Sequence, residues 1–373
     1  MRTRTIHSSR LLVLRNYIAI LLLSFGMAAS SQNNTNMNNT ALPFADVPES
    51  EIYRYQDNPW GLVYMDAIKE NLPGKVNITP VKYLDRGIEI AANVYTPAGY
   101  DPAKSYPAII VVHPGGGCKE QVAGMYAQRM AEQGYITMAA DAAYQGASGG
   151  EPHGLDNTGI RTENVSGSFD YLSQYPGVDR GRIGVIGICA GSGYTLKCVQ
   201  TDKRFKCVAI VSCFDLGVGM RTAFKGEAME QRLALASAAR ERYALTGEVE
   251  YWPNLPEDDP FNDGEKGEIV KYYRLTHFNP GSDNQIAAMS FLSEARFVAT
   301  EQNMEFINVP IIMFVGSDSY VKFMTDTAYG NLSDTVDKHL VVLDGATHMD
   351  TYKTPKYVSQ IVEGLKDFFE RTL

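Results

Sequence analysis

The chain has 373 residues, of which 45% are hydrophobic and 21% are charged, a composition typical of a globular protein. This length can bury a large core and suits one α/β domain that carries an insertion. The formal net charge is −9, and it becomes −13 without residues 1–31, which contain four arginines and no acidic residue. A chain this acidic is not expected to bind nucleic acid or an anionic membrane surface unaided.

Residues 1–31 have the pattern of a secretory signal peptide. Four arginines precede an apolar run at residues 17–27, and small residues at 28–31 supply a cleavage site. The run is short for a membrane span, and an uncleaved anchor is the alternative. Residues 32–48 begin with an Asn-rich stretch and are predicted to be a linker. The pattern predicts a secreted, periplasmic protein with no stable membrane insertion after cleavage.

From about residue 81 to the C-terminus, apolar β-rich runs alternate with amphipathic helices. After a first strand near residue 81, the predicted strands cover residues 88–95, 108–113, 135–141, 182–188, 206–213, 310–316 and 338–343. Predicted helices cover residues 121–133, 159–174 and a C-terminal stretch that begins at Thr354 and Pro355. This alternation predicts an α/β domain over residues 49–373 with a doubly wound, mostly parallel eight-stranded sheet. Ligands bind such sheets beyond the carboxyl ends of the strands.

The alternation stops between residues 215 and 309. A helical stretch at 227–245 is followed by polar turns, and no strong strand is evident. Structureless loops of that length are rare in compact domains. The pattern therefore predicts a helical cap at about residues 216–305, inserted after the sixth strand, where it would shape a substrate pocket.

The chain has five cysteines: Cys118, Cys189, Cys198, Cys207 and Cys213. Disulfides are common in exported proteins, but the count is odd and the positions look internal. Cys207 and Cys213 share the parity of one apolar strand, so they are expected to face the same side of the sheet. Both are interpreted as core residues, as is Cys198, with a Cys198–Cys207 bridge as the alternative.

Gly187, Cys189 and Gly191 form a G-x-C-x-G turn between a predicted strand and a predicted helix. This is the pattern of a nucleophile elbow, with cysteine in the place usually taken by serine. Glycines are needed because side chains two residues from the nucleophile would collide with the strand and the helix. Unpaired N–H groups at the helix N-terminus favour a thiolate. A buried structural cysteine in a tight turn is the alternative interpretation.

His348 is the expected catalytic base. It follows the last predicted strand and precedes the last helix, and the order nucleophile, acid, histidine is that of the α/β-hydrolase fold. A histidine that merely caps the final helix is the alternative. The other histidines lie in the leader, at a strand end, in polar loops or at the wrong end of the sheet: His7, His113, His153, His277 and His339.

The triad acid is predicted at Asp318, close to the end of the seventh strand, where its role would be to hold the imidazole. An Asx turn that closes the strand is the structural alternative for this residue. Asp326 and Asp215 are the other candidates, since both also follow predicted strands.

An oxyanion hole requires two backbone N–H groups. Ala190, directly after the nucleophile, is expected to supply one of them. Gly115 or Gly116, in the loop after the third strand, is expected to supply the other, because Pro114 has no N–H. A tight turn or an anion-binding nest would explain the glycines equally well.

Three loop sequences extend these motifs: HPGGGCKEQ at residues 113–121, DAAYQGASGGEP at 141–152 and DGATHMDTY at 344–352. With the G-x-C-x-G turn, they resemble dienelactone-hydrolase-like α/β-hydrolases from about residue 81 to the C-terminus. Fungal polyketide-releasing acyltransferases look related to the same group. No H-x-x-x-H or cysteine-cluster spacing indicates a metal site.

The resemblance implies an acyl-cysteine mechanism on a small-molecule acyl substrate without a metal or organic cofactor. It also implies that Glu120, in the loop after the third strand, tunes the thiol. Two residues depart from the family pattern: Cys118 replaces an aliphatic residue, and Tyr320 stands where relatives often have an aspartate. Tyr144 and Gln145 are candidate pocket residues, together with Met220 and Trp252 in the insertion and with Tyr320 itself.

The leading hypothesis is a secreted hydrolase that cleaves an ester, lactone or thioester. The alternatives are an acyltransferase that uses the same acyl-enzyme and a non-catalytic binding protein on the same fold. Competing acceptors distinguish hydrolysis from transfer. Labelling of Cys189 at mildly acidic pH favours catalysis, whereas an inert thiol favours binding.

Overall fold

The computed structural model describes residues 47–253, 265–282 and 285–373. The predicted signal peptide and nearly all of the predicted linker lie outside these residues. None of the helices in the described part of the chain is long and apolar enough to cross a membrane.

The centre of the molecule is an eight-stranded sheet with the order β1-β2-β4-β3-β5-β6-β9-β10. Only the pairs β1–β2 and β2–β4 are antiparallel, and the other neighbours are parallel. The doubly wound, mostly parallel sheet expected from the sequence is thus present. Its strands are β1 (Asn77–Asp85), β2 (Ile88–Thr96), β3 (Tyr106–Val112), β4 (Ile136–Ala140), β5 (Val178–Ile188), β6 (Val208–Val211), β9 (Ile311–Gly316) and β10 (Lys338–Leu343).

Helices cover both faces of the sheet, because the central parallel strands are apolar on both sides and need partners on each. The helices are α1 (Val122–Glu132), α2 (Thr158–Leu172), α3 (Ala190–Val199), α4 (Leu216–Ala223), α5 (Glu227–Thr246), α6 (Glu265–Lys271), α7 (Phe291–Glu294), α8 (Lys322–Gly330), α9 (Asp350–Lys353) and α10 (Pro355–Thr372). Short helical turns at Glu49–Glu51, Tyr55–Asp57, Tyr272–Thr276, Ala288–Ser290 and Met304–Phe306 complete the set.

Two hydrophobic clusters fill the space on either side of the sheet. Cys213 packs in one of them and Cys207 in the other, so the expectation that both face the same side was wrong. The reason is that β6 ends at Val211 and the next residue, Ser212, has a φ of 49°, which breaks the alternation of a strand. All five cysteines are free, which also excludes the Cys198–Cys207 bridge.

The segment between β6 and β9 holds the helices α4 to α7 and two three-residue strands, β7 (Tyr251–Pro253) and β8 (Gln285–Ala287). Strands this short leave no hydrophobic pattern, so they could not be predicted from the sequence. Asp215 fixes both ends of the segment. Its carboxylate accepts hydrogen bonds from the backbone of Val218 on one side and of Ala299 and Thr300 on the other.

Candidate active site

Cys189 lies at a strained turn between β5 and α3. Its φ of 53° and ψ of −122° place a non-glycine residue in a sparsely populated region, at a cost of about 1–3 kcal/mol. A side chain at Gly187 would stand 2.7 Å from the Cα of Ser192. A side chain at Gly191 would stand 2.6 Å from the carbonyl oxygen of His113. Both glycines are therefore needed sterically, as the motif predicts.

Ala190 and the glycine loop after β3 lie next to each other. A Cβ at Gly115 would stand 3.4 Å from the Cβ of Ala190. The Ala190 N–H lies close enough to the Cys189 sulfur to lower the pKa of the thiol, and Gly116 adopts a φ of 67°. The Gly116 carbonyl accepts a hydrogen bond of 2.7 Å from Ser282 in the insertion. The glycine loop after β3 thus lies against the elbow that carries the thiol.

Tyr352 is a neighbour of both the thiol and the imidazole. Its hydroxyl lies 3.3 Å from Nε2 of His348, and it is close enough to Cys189 to lower the pKa of the thiol. Tyr273, from the insertion, is a further neighbour of Tyr352. The structure therefore brings the two residues singled out in the sequence, Cys189 and His348, together through a tyrosine.

Both members of this pair are neutral at physiological pH. Burial raises the pKa of the Cys189 thiol to about 11, although hydrogen bonds from Tyr352 and Ala190 and the charge of Arg161 act in the opposite direction. Burial lowers the pKa of His348 to about 4. The helix N-terminus was expected to favour a thiolate, and here desolvation outweighs it. The resting site thus holds a thiol and a neutral base.

Asp318 lies in an exposed turn. Its carboxylate accepts a hydrogen bond of 2.8 Å from Ser317, and its backbone N–H donates to the carbonyl of Ala346. The hydrogen bonds among the described residues do not join Asp318 to His348. Asp318 ties the end of β9 to the loop that carries the histidine, but it does not contact the imidazole.

The other two acid candidates also lie away from the imidazole. Asp326 is exposed and pairs with Lys322, while Asp215 is buried and holds the ends of the insertion. Tyr320 instead packs on His348, with ring centroids 5.7 Å apart. An aromatic ring therefore stands beside the imidazole at the position where the family pattern has an aspartate.

Glu120 points into the protein, within a buried cluster of charges. Lys119 lies 2.5 Å from its carboxylate and 2.7 Å from that of Asp141. Desolvation and the charge of Asp141 raise the pKa of Glu120 to about 7. Its side chain approaches Gly61, in the N-terminal segment. The cluster links the loop after β3 to the loop after β4. Among the described residues, no hydrogen bond joins a member of the cluster to Cys189.

Tyr144 and Gln145 lie in the loop after β4. Tyr144 has a φ of 70° and its ring covers Gly150, so it is fixed within its own loop. Gln145 is buried and accepts a hydrogen bond of 2.6 Å from Arg161. These contacts give both residues a structural role in shaping the loop beside the site.

Arg161 of α2 was not among the residues predicted from the sequence to form the site. Its buried guanidinium donates to the His113 carbonyl at the start of the glycine loop, lies 3.5 Å from Asp156 and stacks over Tyr194. The charge of Arg161 also lowers the pKa of Cys189. A buried arginine inside a helical stretch leaves no pattern by which it could be identified.

Tyr352 and Tyr273 were also given no role by the sequence. Tyr352 ends the DGATHMDTY loop, four residues after His348, and this spacing on a helical turn is the signal that could have identified it. Tyr273 belongs to the insertion, whose position over the site follows only from the tertiary structure. The described residues contain no cluster of three or more His, Cys, Asp or Glu side chains able to hold a metal ion.

A mostly parallel eight-stranded sheet, with a cysteine elbow after β5 and a histidine after the last strand, defines an α/β-hydrolase. Residues 90–212 match the family model described as "Dienelactone hydrolase family". The chain belongs to the dienelactone hydrolase family, whose members are hydrolases that act on ester-type bonds.

Similar proteins cover most of the chain. The uncharacterized protein YcjY of Escherichia coli K12 is 36% identical over 77% of this chain and 95% of its own length. The uncharacterized protein PA2218 of Pseudomonas aeruginosa is 33% identical over 75% of this chain and 77% of its own. The crystal structure of PA2218 superposes with a TM-score of 0.75 at 30% identity, covering 82% of this chain and 96% of that one. The α/β-hydrolase GrgF from Penicillium, at 19% identity and a TM-score of 0.68, shares the fold over 79% of this chain and 99% of its own.

Proposed function

We propose that this protein is a cysteine-dependent hydrolase that cleaves an ester, lactone or thioester of a small molecule through an acyl-enzyme at Cys189. The single observation that carries the proposal is the position of the Cys189 thiol at a strained elbow with a φ of 53°. Its neighbours are the N–H of Ala190 and Tyr352, whose hydroxyl lies 3.3 Å from Nε2 of His348. A buried cysteine with a purely structural role needs none of these neighbours.

Acylation begins from the neutral pair. The sulfur attacks the substrate carbonyl while its proton passes to His348, so charge develops only as the S–C bond forms. The N–H groups of Ala190 and of Gly115 or Gly116 stabilise the oxyanion that results. Collapse of the tetrahedral intermediate expels the alkoxide or thiolate, which takes the proton back from the imidazolium of His348.

Deacylation repeats the sequence with water as the nucleophile. His348 removes a proton from water, the hydroxide adds to the acyl carbon, and the sulfur leaves as a thiol when the proton returns. Asp318 has no part in this scheme, because its carboxylate is exposed and bound by Ser317. The imidazole is held by the rings of Tyr320 and Tyr352, whose centroids lie 5.7 Å and 5.4 Å from its own.

The experiment is intact-mass detection of the acyl adduct after mixing the protein with p-nitrophenyl acetate or an acetyl thioester. One acetyl group is expected on the wild type and none on Cys189→Ala. Cys198→Ala is the matched control, because Cys198 is a buried free cysteine on the helix that follows the elbow. Wild-type turnover by Cys189→Ala would refute the proposal. Added alcohols or amines that divert the acyl group would indicate transfer in place of hydrolysis.

We further propose that the protein is exported to the periplasm. The support is the arginine-rich start, apolar run and small residues of positions 1–31. Cell fractionation followed by N-terminal sequencing tests this, and a mature chain that begins near residue 32 in the periplasmic fraction is expected. A chain that retains residues 1–31 would contradict it.

A further inference from the structure

The loop after β3 contains three consecutive glycines, Gly115, Gly116 and Gly117, and therefore has little conformational preference of its own. The N–H of Gly117 donates to the carbonyl of Pro114 at 3.2 Å and closes a four-residue turn. Gly116 is the third residue of that turn and has a φ of 67°, which is typical of a type II turn and favours glycine. Contacts from other parts of the chain must hold this turn in place.

Ser282, in the insertion, supplies such a contact. Its buried hydroxyl donates to the carbonyl of Gly116 at 2.7 Å. The peptide between Gly116 and Gly117 is thus held at both ends, by Ser282 at its carbonyl and by Pro114 at its N–H. Because Gly116 joins this peptide to the one before it, the direction of the Gly116 N–H follows from the held peptide and from the φ of 67°.

Ser282 belongs to a turn that is itself anchored. Its N–H donates to the carbonyl of Asn279 at 2.9 Å. The side chain of Asn279 accepts a hydrogen bond of 2.7 Å from the N–H of Gly281. It also donates one of 2.8 Å to the carbonyl of Gly61, in the N-terminal segment. The hydroxyl of Ser282 therefore approaches the glycines from a fixed position.

Gln121 makes a second connection between the insertion and this loop. Its buried amide donates to the carbonyl of His277 at 2.9 Å and accepts a hydrogen bond of 3.1 Å from the N–H of Cys118. The insertion thus contacts the loop both at the glycines and at the residues that follow them. Removal of the Ser282 hydroxyl would leave the connection through Gln121 intact.

The turn that Ser282 holds lies next to the nucleophile. A Cβ at Gly115 would stand 3.4 Å from the Cβ of Ala190, the residue after Cys189. Among the hydrogen bonds of the described residues, none uses the N–H of Gly115 or of Gly116. These are the two donors that the loop can offer to a substrate carbonyl.

We propose that Ser282 is a positioning residue for the oxyanion hole, an inference that rests on the proposed acyl-enzyme function. By holding the carbonyl of Gly116, it orients the glycine N–H groups before the Cys189 sulfur bonds to the substrate carbon and the carbonyl π pair becomes the oxyanion. Donors that are already oriented stabilise this charge without a cost of reorganisation. Ser282 acts through Gly116 and not by contact with the reacting atoms, and the insertion thereby completes the active site.

The first test compares single-turnover acylation by Ser282→Ala and Ser290→Ala over a range of p-nitrophenyl acetate concentrations. Ser290 is the matched control, because it is also a buried serine of the insertion and its hydroxyl accepts a hydrogen bond of 2.9 Å from the N–H of Asp156. Loss of a whole oxyanion donor costs about 100-fold or more, so a misplaced donor is expected to lower the acylation rate constant of Ser282→Ala by about tenfold. The ester concentration at half-maximal rate is expected to change by less than about threefold, because the oxyanion forms only in the transition state. Ser290→Ala is expected to stay within about threefold of the wild type in both quantities, since it holds no oxyanion donor.

Two further measurements separate oriented donors from a general structural effect. Trifluoroacetone adds to Cys189 as a thiohemiketal, whose hydroxyl ionises to a stable analogue of the oxyanion. Fluorine NMR is expected to show that this hydroxyl ionises at a pH about one unit higher in Ser282→Ala than in the wild type, which corresponds to a tenfold weaker stabilisation of the charge. Iodoacetamide alkylates the thiol at a saturated carbon and forms no oxyanion, so Ser282→Ala is expected to stay within about twofold of the wild type in this reaction.

Acylation by Ser282→Ala at the wild-type rate would overturn the positioning role. An equal loss in acylation and alkylation, or a thiohemiketal that ionises at the same pH in both proteins, would also overturn it. Each of these results leaves Cys189 as the nucleophile. An absent acetyl adduct on the wild type would instead refute the proposed function itself.

Discussion

The ring of Tyr320 packs against the imidazole of His348, with centroids 5.7 Å apart and an interplanar angle of 47°. Asp318, two residues earlier, is exposed and bound by Ser317. The loop after β9 therefore presents an aromatic ring to His348.

The first prediction concerns Asp318→Asn. Because this carboxylate does not contact the imidazole, the acylation rate is expected to change by less than about threefold, whereas loss of a true triad acid costs about 10⁴-fold. Stopped-flow acylation with an activated ester measures this. Asp326→Asn, in which an exposed ion pair with Lys322 is lost, is the matched control. A loss of a hundredfold or more confined to Asp318→Asn would place the triad acid at that residue.

The second prediction concerns the pH dependence of acylation. Burial lowers the pKa of His348 to about 4, and only the neutral imidazole can accept a proton. The rate is expected to be flat from about pH 5 to about pH 9 and to fall tenfold per unit below about pH 4. It is expected to rise near pH 11, because the pKa of Cys189 is about 11 and the thiolate attacks without a base. A fall in the acylation rate centred between pH 6 and 7 would instead show that the base titrates as a solvated histidine.

The third prediction concerns alkylation of the thiol. With a pKa of about 11, Cys189 is almost entirely protonated at neutral pH, so iodoacetamide is expected to react at least about tenfold more slowly than with a free cysteine. The rate is expected to increase with pH up to about 10. Peptide mapping locates the label, with Cys189→Ala as the control. Slow alkylation together with rapid acylation indicates base-assisted attack, and a thiol inert to both reagents indicates a binding protein.

The fourth prediction concerns the elbow glycines. A methyl group at Gly191 would overlap the carbonyl oxygens of Val112 and His113, which belong to the rigid end of β3. Gly191→Ala is expected to lower the free energy of unfolding by about 3 kcal/mol, as overpacking does. Gly330→Ala is the control, since no atom lies within 4 Å of a Cβ at that position. Urea unfolding compares them, and equal stability of the two variants would contradict the steric argument.

The fifth prediction concerns stability against pH. Burial lowers the pKa of His113 and His277 to about 3 and that of His348 to about 4, below the unfolded value of 6.5. The unfolded chain then binds more protons below pH 6.5, so stability falls as the pH falls towards 3. Burial raises the pKa of Glu120 to about 7 and that of Glu294 to about 8, above 4.5, so stability also falls as the pH rises from 4.5 to 8.

These two trends place the maximum of the free energy of unfolding near pH 6. The loss is steeper on the acid side, because three histidines bind protons there. Each proton taken up on unfolding changes the free energy of unfolding by about 1.4 kcal/mol per pH unit. Thermal melts between pH 3 and 9 test this. Glu294→Gln is expected to reduce the loss of stability above pH 6, because a glutamine amide does not ionise in this range. Glu163→Gln is the control, since that side chain is 45% exposed. If Glu294→Gln lost as much stability above pH 6 as the wild type, the Glu294 carboxyl could not be the cause of that loss.

Much of the site follows from local sequence. The elbow could be predicted because a nucleophile in a strained turn requires small neighbours at Gly187 and Gly191 whatever surrounds it. The position of His348 after the last strand follows from the order of elements along the chain. The periodicity that identifies β5, β9 and α10 is likewise a local property, which is why their predicted bounds lie within a few residues of those observed.

Other predictions failed where distant contacts decide the outcome. The side of the sheet that Cys213 faces depends on a positive φ at Ser212 that no periodicity reveals. The helix N-terminus predicted a thiolate at Cys189, but desolvation by residues far apart in the chain raises the pKa of the thiol. The two strands β7 and β8 pair across more than thirty residues and have only three residues each.

The sequence by itself determined that a thiol stands at a strand–helix elbow and that a histidine follows the last strand, because both depend on local steric requirements and on chain order. Only the tertiary structure decided what lies between them. Tyr352 and Tyr273 are neighbours of Cys189 because a turn after β10 and an insertion after β6 fold onto the same edge of the sheet. Desolvation at that edge raises the pKa of the Cys189 thiol and lowers that of His348, and this depends on residues far apart in the chain.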